Sequence, residues 1–527
     1  VIAVEEITSQ NSRSLTGAEA GGVAVISAII GAYDSYRAAP ELKRNLTIAS
    51  PSNSEQSEET SSSSPASGGG ATRFAQILAI AIGSGALFLG ALDFSINVNL
   101  PRFRSDLGET LISVQLIIII YHGARGGTGF IAGGIADRFG IKWPLAGGIV
   151  LYTVAVGLIS LQDSLAPIVA LRIPQGIGVA ILFTLAPALV ARAFGPSRRG
   201  AALGVTLGAM GLGTFAGTLG GGLLGEEIGW QAIFWARIPI GITLLVATVL
   251  WLNGGFARAV PGRTSNRFDL PGSITLFATL FIFVLAMSFA RVEGWLNPLP
   301  LALFAVTIVL GFVFAQGKRA GRFTIFPSGL TAFSGLKSGA TSNLLLTVAA
   351  FVMWFLFPFY VADVMGRSGL TLGALLALMA GMNFAGSALA GWLADRVGDR
   401  RITFVGTFIT AVGLVLAGTA GASTTMAYVI FGTAVLGLGF GMHQAAVYAL
   451  TLRRAPSEHA GATSAALTVS QTIGTVLSIA LMTSILSWQQ SSNGASFVEA
   501  YRFAYLTAAA IAVVSGLVVF KLPQKRY

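Results

Sequence analysis

The chain predicts an all-α polytopic membrane protein with fourteen transmembrane helices. Three observations carry that expectation. Apolar residues make up 54% of the 527 positions and charged residues only 10%, whereas a soluble domain carries about 25% charged residues and needs them to cover its surface. Beyond residue 70, fourteen apolar runs follow one another, each near the roughly 20 residues that cross a bilayer. A short pattern also recurs. Gly-Gly-Ile-Ala-Asp-Arg-Phe-Gly at 133–140 returns as Gly-Trp-Leu-Ala-Asp-Arg-Val-Gly at 391–398, each time at the end of an apolar run, which marks two halves related by a parallel repeat.

In chain order, residues 1–72 come first. They end in a Ser/Glu/Pro/Gly-rich stretch that cannot bury a core, so a disordered cytoplasmic tail is expected. The apolar stretch Gly21–Tyr33 within it is only 13 residues long, too short to span. The fourteen runs then lie near 75–98, 112–135, 143–161, 167–190, 201–225, 232–252, 270–290, 298–316, 341–362, 370–393, 402–421, 426–449, 460–486 and 502–520. They divide into a six-helix bundle over 73–253, a linker with two extra helices over 254–320, a second six-helix bundle over 321–522, and a short tail at 523–527.

Charge sets the expected orientation. With the N-terminus inside, the inner loops hold 20 Lys and Arg, and the outer loops hold five: Arg102, Arg104, Arg291, Arg367 and Arg502. Cytoplasmic loops carry such an excess, so both termini are expected in the cytoplasm of a cell membrane, plasma or bacterial inner. The net charge of +11 therefore reflects orientation, and no nucleic-acid partner is expected.

Several chemistries are disfavoured. The 527 residues contain no cysteine and only three histidines, His122, His443 and His459, far apart in the chain. A thiol nucleophile and a cysteine-ligated metal are excluded, and a histidine metal site is not expected. No glycine-rich loop sits in a strand–turn–helix unit, so no nucleotide cofactor is expected. No paired carboxylates or Ser/His/Asp set is evident at membrane depth, so an enzyme is not expected.

The repeated motif, read as Gly133, Asp137, Arg138, Gly140 and Lys142, resembles the signature loop of the major facilitator superfamily, with Ile141 where an Arg is usual. Its second copy supplies Gly391, Asp395 and Arg396. These are expected to act as an inner gate, since a carboxylate beside basic groups and helix termini forms a charge cluster that can break and re-form. Further segments resemble the fourteen-helix drug:proton antiporter branch. They are Leu92-Asp93 through Pro101, Arg172-Ile-Pro-Gln175-Gly176, and Gly229-Trp230 through Gly241, with Arg237 at a position usually Asn. Phe268-Asp269-Leu-Pro271-Gly272 resembles the start of the extra pair, and Gly461 through Gly474 resembles helix 13. Helix 5 carries Gly213, Gly217, Gly221 and Gly222, as in the antiporter motif, but Thr218 replaces its proline. The resemblance implies two six-helix bundles plus two helices, and proton-driven export of small molecules.

Ionisable groups inside a bilayer are costly and need a reason. Asp93 and Arg172 lie at depths that agree within about 3 Å at 1.5 Å per residue, so the two are expected to pair. They read as a proton-coupling pair, Asp93 carrying the proton, or as a static ion pair. His122 and Arg125 are three apart and share a helix face; they are expected in the substrate cavity. Arg237 is expected to snorkel to the outer surface from a peripheral helix. Three arginines and one aspartate would leave the membrane interior at +2, which suits an anionic substrate. His443 and Gln471 are placed in the cavity, with Trp354 and Tyr360 offering flat contacts; the other helix 9 aromatics are expected against lipid or in packing. Gly213, Gly217 and Gly221 form an i, i+4 stripe for close helix packing.

The function expected is proton-coupled export of a small organic molecule or drug by alternating access. The partners are then the substrate, protons and the bilayer, with the protein a monomer. The alternatives are a facilitator or symporter of a small organic anion, and a non-transporting membrane sensor.

Overall fold

The computed structural model describes residues 73–194, 196–252, 269–323, 334–453 and 460–520. The tails at 1–72 and 523–527 and residue His459 lie outside the described residues, as do the side chains of Asp137 and Asp395.

Every regular element among the described residues is helical. The first bundle comprises α1 (Arg73–Asp106), α2 (Leu116–Phe139), α3 (Lys142–Ile159), α4 (Leu165–Ala193), α5 (Pro196–Glu227) and α6 (Ala232–Trp251). The extra pair is α7 (Leu270–Glu293) and α8 (Pro298–Arg319). The second bundle comprises α9 (Gly335–Val364), α10 (Gly369–Val397), α11 (Asp399–Thr419), α12 (Met426–Leu452), α13 (Ala460–Asn493) and α14 (Phe497–Phe520). Thirteen of these are long and apolar enough to span by composition alone. The fourteenth, α2, carries His122 and Arg125 midway along its length, and each lowers its mean hydropathy.

Several helices outrun their apolar stretches. α1 continues past residue 98 to Asp106, with Pro101 inside the helix, because Leu100 and Phe103 in its last turns pack in the core, Phe103 against Trp230 and Phe234. α13 likewise runs on to Asn493.

Within the first bundle α4 packs on α1, α2 and α3, and α1 packs on α5; within the second, α12 packs on α10 and α11, and α14 on α9 and α11. The bundles meet along α5–α10 and α2–α13. α7 lies against α2 and also touches α13. Burial follows position: only 6% of the α8 span is buried inside the protein, against 89% of α9. Ile308, Val309 and Phe312 of α8 are exposed, as suits a lipid-facing helix.

The repeat has a structural counterpart. Gly140 ends α2 at φ +87°, and Gly398 ends α10 at φ +97°. Both sit at the last position of the repeated motif, where only glycine takes this backbone turn without strain.

Candidate functional site

Asp93 sits at a break in α1. Arg73–Ala91 is regular, Leu92–Phe94 form one 3₁₀ turn, and the α-helix resumes at Ser95. A 3₁₀ turn inside a long helix often marks a hinge. Here it buries the Asp93 carboxyl, leaving the residue 6% exposed. Its Oδ1 accepts from Arg237 Nη1 at 2.6 Å, Gln175 Nε2 at 2.7 Å and Tyr152 Oη at 2.9 Å. Its Oδ2 is buried and meets no donor in hydrogen-bonding geometry, although Tyr121 lies near enough to interact with the carboxylate.

Removing two charges from water costs several kcal/mol per ion, and the cost is offset only where donors and acceptors are well placed. Arg237 is well placed. Besides Asp93 it donates from Nη2 to Leu92 O at 2.9 Å and to Ser95 Oγ. Its guanidinium therefore bonds to three consecutive points around the 3₁₀ turn. It is fully buried and does not snorkel: the Arg237 expectation is overturned, because α6 turns this side chain inward onto α1.

The direct Asp93–Arg172 pair is likewise not formed. Arg172 donates from Nε to Ile117 O at 2.9 Å and from Nη1 to Gln175 Oε1 at 2.7 Å, and its guanidinium lies 3.9 Å from the Tyr121 ring centroid. It reaches Asp93 only through the Gln175 amide, whose oxygen accepts from the arginine while its nitrogen donates to the carboxylate.

Beside this network lies a small cavity of about 20 Å³, lined by Asp93, Arg172, Arg125, His122, Asn97 and Tyr121, with Gly90, Phe94, Ile96, Ile118 and Phe183. The expected placement of His122 and Arg125 on one face agrees with this lining. Arg125 stacks on the Phe183 ring at 4.8 Å and makes no hydrogen bond or ion pair among the described residues. It does not contact Asp93. Across from it stands Tyr448 of α12, within reach of its charge. His122 meets Phe351 of α9 edge to face at 5.4 Å, so both bundles approach the cavity.

The second-bundle residues expected there fall elsewhere. His443 is buried between α12 and α11, its Nδ1 bonded to Thr407 Oγ1 at 2.8 Å. Tyr360 is buried, donates to Gly421 O at 3.0 Å and stacks on Tyr501. Trp354 does not line the cavity but backs its wall, 4.6 Å from Phe94. Gln471 is partly buried and outside the lining. Phe355, Phe357 and Phe359 are fully buried, in packing and not against lipid.

The α5 glycines let α1 approach. A Cβ at Gly213 would stand 2.5 Å from Phe88 O, one at Gly217 2.9 Å from the Leu92 backbone, and one at Gly221 2.5 Å from Ser95 Cβ. The two ends of the bundle interface differ. At one end Arg104 donates bidentately to Asp363 at 2.7 and 2.8 Å, joining α1 to a π turn at Tyr360–Val364 of α9. Leu370 N donates to Glu226 Oε2 at 3.0 Å, and α5 touches α10 at Gly222 and Gly369. Toward the opposite end, a Cβ at Gly204, Gly208 or Gly391 would meet no atom within 4 Å. That end holds the repeated motifs. Gly133 lies near Thr184, Arg138 lies over Phe139, Lys142 over Trp143 and Arg396 over Trp392. Arg138 and Arg396 form no ion pair among the described residues, from which the side chains of Asp137 and Asp395, the carboxylates of the expected gate, are absent.

Sequence reasoning missed the direct role of Arg237 and the parts played by Tyr152, Ser95 and Tyr448. It also missed the Arg104–Asp363 pair. The available signal was that Arg237, like Asp93, is an ionisable residue in an apolar run and needs a partner.

The Major Facilitator Superfamily profile matches residues 82–479, with a further match over 339–526. The tetracenomycin C resistance and export protein of Streptomyces glaucescens is 29% identical over 415 residues, 77% of this chain and 76% of that protein. The puromycin resistance protein of Streptomyces alboniger is 30% identical over 402 residues, 74% of this chain and 77% of that protein. The crystal structure of a peptide transporter in complex with sulfate superposes with TM-score 0.63 at 15% identity, covering 84% of this chain and 93% of that one. The last likeness concerns the fold alone.

Proposed function

Because this chain belongs to the major facilitator superfamily and is thus a secondary transporter, we propose that it exports a small organic molecule from the cytoplasm in exchange for protons. The observation that carries the reading is the Asp93 carboxylate: Oδ1 is held by three donors while buried Oδ2 meets none. A proton added at Oδ2 keeps those hydrogen bonds geometrically available and removes the charge that faces Arg237. Such a group is a proton carrier beside a small cavity lined by charged and aromatic side chains. Relatives named for export of or resistance to tetracenomycin C and puromycin support efflux.

The positive-inside distribution places the motif loops in the cytoplasm. On that orientation Arg104–Asp363 would latch the outer end, and the open space beside Gly204 and Gly391 would be where substrate enters from the cytoplasm. Alternating access then exposes Asp93 to each side in turn.

One observation favours a second reading. Arg125 and Arg172 face the cavity, while Asp93 is already met by Arg237. A small organic anion would suit that balance, and anion binding and protonation of Asp93 would then reinforce each other. Antiport requires the opposite, that substrate expels the proton.

The test is purified protein in liposomes enclosing a pH-sensitive dye, under an imposed proton gradient, with tetracenomycin C, puromycin and aromatic carboxylates as candidate substrates. Compound-triggered proton flux that Asp93→Asn abolishes supports the proposal. Transport without proton flux, unchanged in Asp93→Asn, sinks it.

A further inference from the structure

We infer that Arg237 is the positioning residue that converts protonation of Asp93 into movement between α1 and α5. The inference rests on the reading of Asp93 as the proton site.

One guanidinium nitrogen of Arg237 bonds Asp93 Oδ1; the other bonds Leu92 O and Ser95 Oγ. Leu92 opens the 3₁₀ turn and Ser95 begins the helix after it, and they are also the residues on which α5 rests. Gly217 approaches the Leu92 backbone and Gly221 approaches Ser95. The α5 helix in turn meets the other bundle, with Gly222 against Gly369 and Thr218 O 2.5 Å from where a Gly373 Cβ would stand. A continuous chain of contacts therefore runs from the carboxylate, through Arg237 and the turn, to the seam between the bundles.

The other groups facing Asp93 do not offer this connection. Tyr152 of α3 and Tyr121 of α2 are phenols, Arg172 of α4 is separated from the carboxylate by Gln175, and Arg125 and His122 of α2, which share the cavity with Asp93, make no hydrogen bond to α1 among the described residues. Among the described residues no titratable side chain of α5 lies in the network, and Arg237 alone combines a charge that responds to the proton with a bond to the backbone of the turn.

The step can be followed atom by atom. A proton enters at Oδ2 and the carboxylate becomes a neutral acid. Arg237 then retains three neutral oxygens as acceptors, Asp93 Oδ1, Leu92 O and Ser95 Oγ, in a buried site where an uncompensated charge is costly. Its stable response is to move toward water or another acceptor, releasing Leu92 O and Ser95 Oγ. The turn is freed and the α1–α5 contact can shift. Loss of the proton restores the grip.

The test uses a single cysteine at Gly208, a position with open space around it, in a chain that has no native cysteine. Maleimide labelling of Gly208→Cys in nanodiscs is measured at acid and alkaline pH, in otherwise wild-type protein and in Asp93→Asn, Arg237→Met, Arg237→Lys and Ser95→Ala backgrounds. We expect a several-fold pH-dependent change in labelling rate that is lost in Asp93→Asn and Arg237→Met, reduced in Ser95→Ala and partly retained in Arg237→Lys. Ser95→Ala keeps the ion pair and the bond to Leu92 O and removes one of the two further bonds to α1, so a reduced response there is the expected result if Arg237→Met does not fold. A response lost in Asp93→Asn yet intact in Arg237→Met, or in Ser95→Ala where Arg237→Met does not fold, overturns this inference alone. No response in the wild-type background, or one that survives in Asp93→Asn, overturns the proton-site reading beneath it and the inference with it.

Discussion

Replacing Arg104 with alanine removes the ion pair that joins the bundles at the end opposite the repeated motifs. Its size follows from the structure. The two hydrogen bonds, at 2.7 and 2.8 Å, are bidentate, but the side chains of Arg104 and Asp363 are 32% and 34% exposed. Exposed pairs are worth about 0.2–1 kcal/mol after solvent screening, with good bidentate geometry placing this one near the upper limit. A loss of about 1 kcal/mol multiplies the open population by roughly five. The assay is labelling of Asn97→Cys, in the cavity wall, by an impermeant maleimide applied on the Arg104 side. Arg104→Ala and Asp363→Asn should each raise the rate about five-fold, and the double variant should add little. High salt should raise the wild-type rate toward the variants, since about 1 M salt screens beyond 3 Å. Rates unchanged in both single variants, or a double variant showing the product of two independent effects, would refute the latch.

Three further outcomes follow from the same geometry. Arg237→Met or Asp93→Asn alone should lower unfolding stability in mixed micelles by about 3–5 kcal/mol, the double variant by clearly less than their sum; additive losses would show the pair is not coupled. Gly217→Leu should cost about 1–3 kcal/mol by overpacking against Leu92 and slow transport, while Gly204→Ala, with open space around it, should leave the melting temperature unchanged. His443→Gln should lower stability by about 1 kcal/mol through loss of its Thr407 bond but leave substrate affinity intact; a changed affinity in a binding assay would return His443 to the cavity.

The fold was legible because the bilayer imposes length and polarity on every span, and because the repeat carries the same glycine turn twice. Asp93 was legible because an ionisable group in an apolar run demands a reason. Its partner was not. Arg172 lies seven residues into α4 and Arg237 five into α6, about 3 Å apart in depth, so axial position does not separate them. Which arginine meets the carboxylate depends on the rotation of each helix about its own axis, and on the 3₁₀ turn that aims Asp93. The α9 aromatics misled for a related reason. Their spacing covers every face, and a helix apolar all round can be enclosed by protein as well as by lipid. Tyr360 and His443 are polar groups in spans, but each makes a hydrogen bond inside the second bundle, with Gly421 O and Thr407, while His443 Nε2 meets no partner among the described residues. The Arg104–Asp363 pair joins residues 259 positions apart, beyond anything that local pattern reveals.

The most direct test of proton exchange is a proton count on binding. Purified transporter in lightly buffered micelles, with a pH indicator, is mixed with whichever compound drives flux in liposomes. The account predicts that binding releases protons to solution, and that Asp93→Asn binds the compound and releases none. Proton uptake on binding would contradict antiport and assign the cavity to anion co-transport; release that persists in Asp93→Asn would move the proton site away from Asp93.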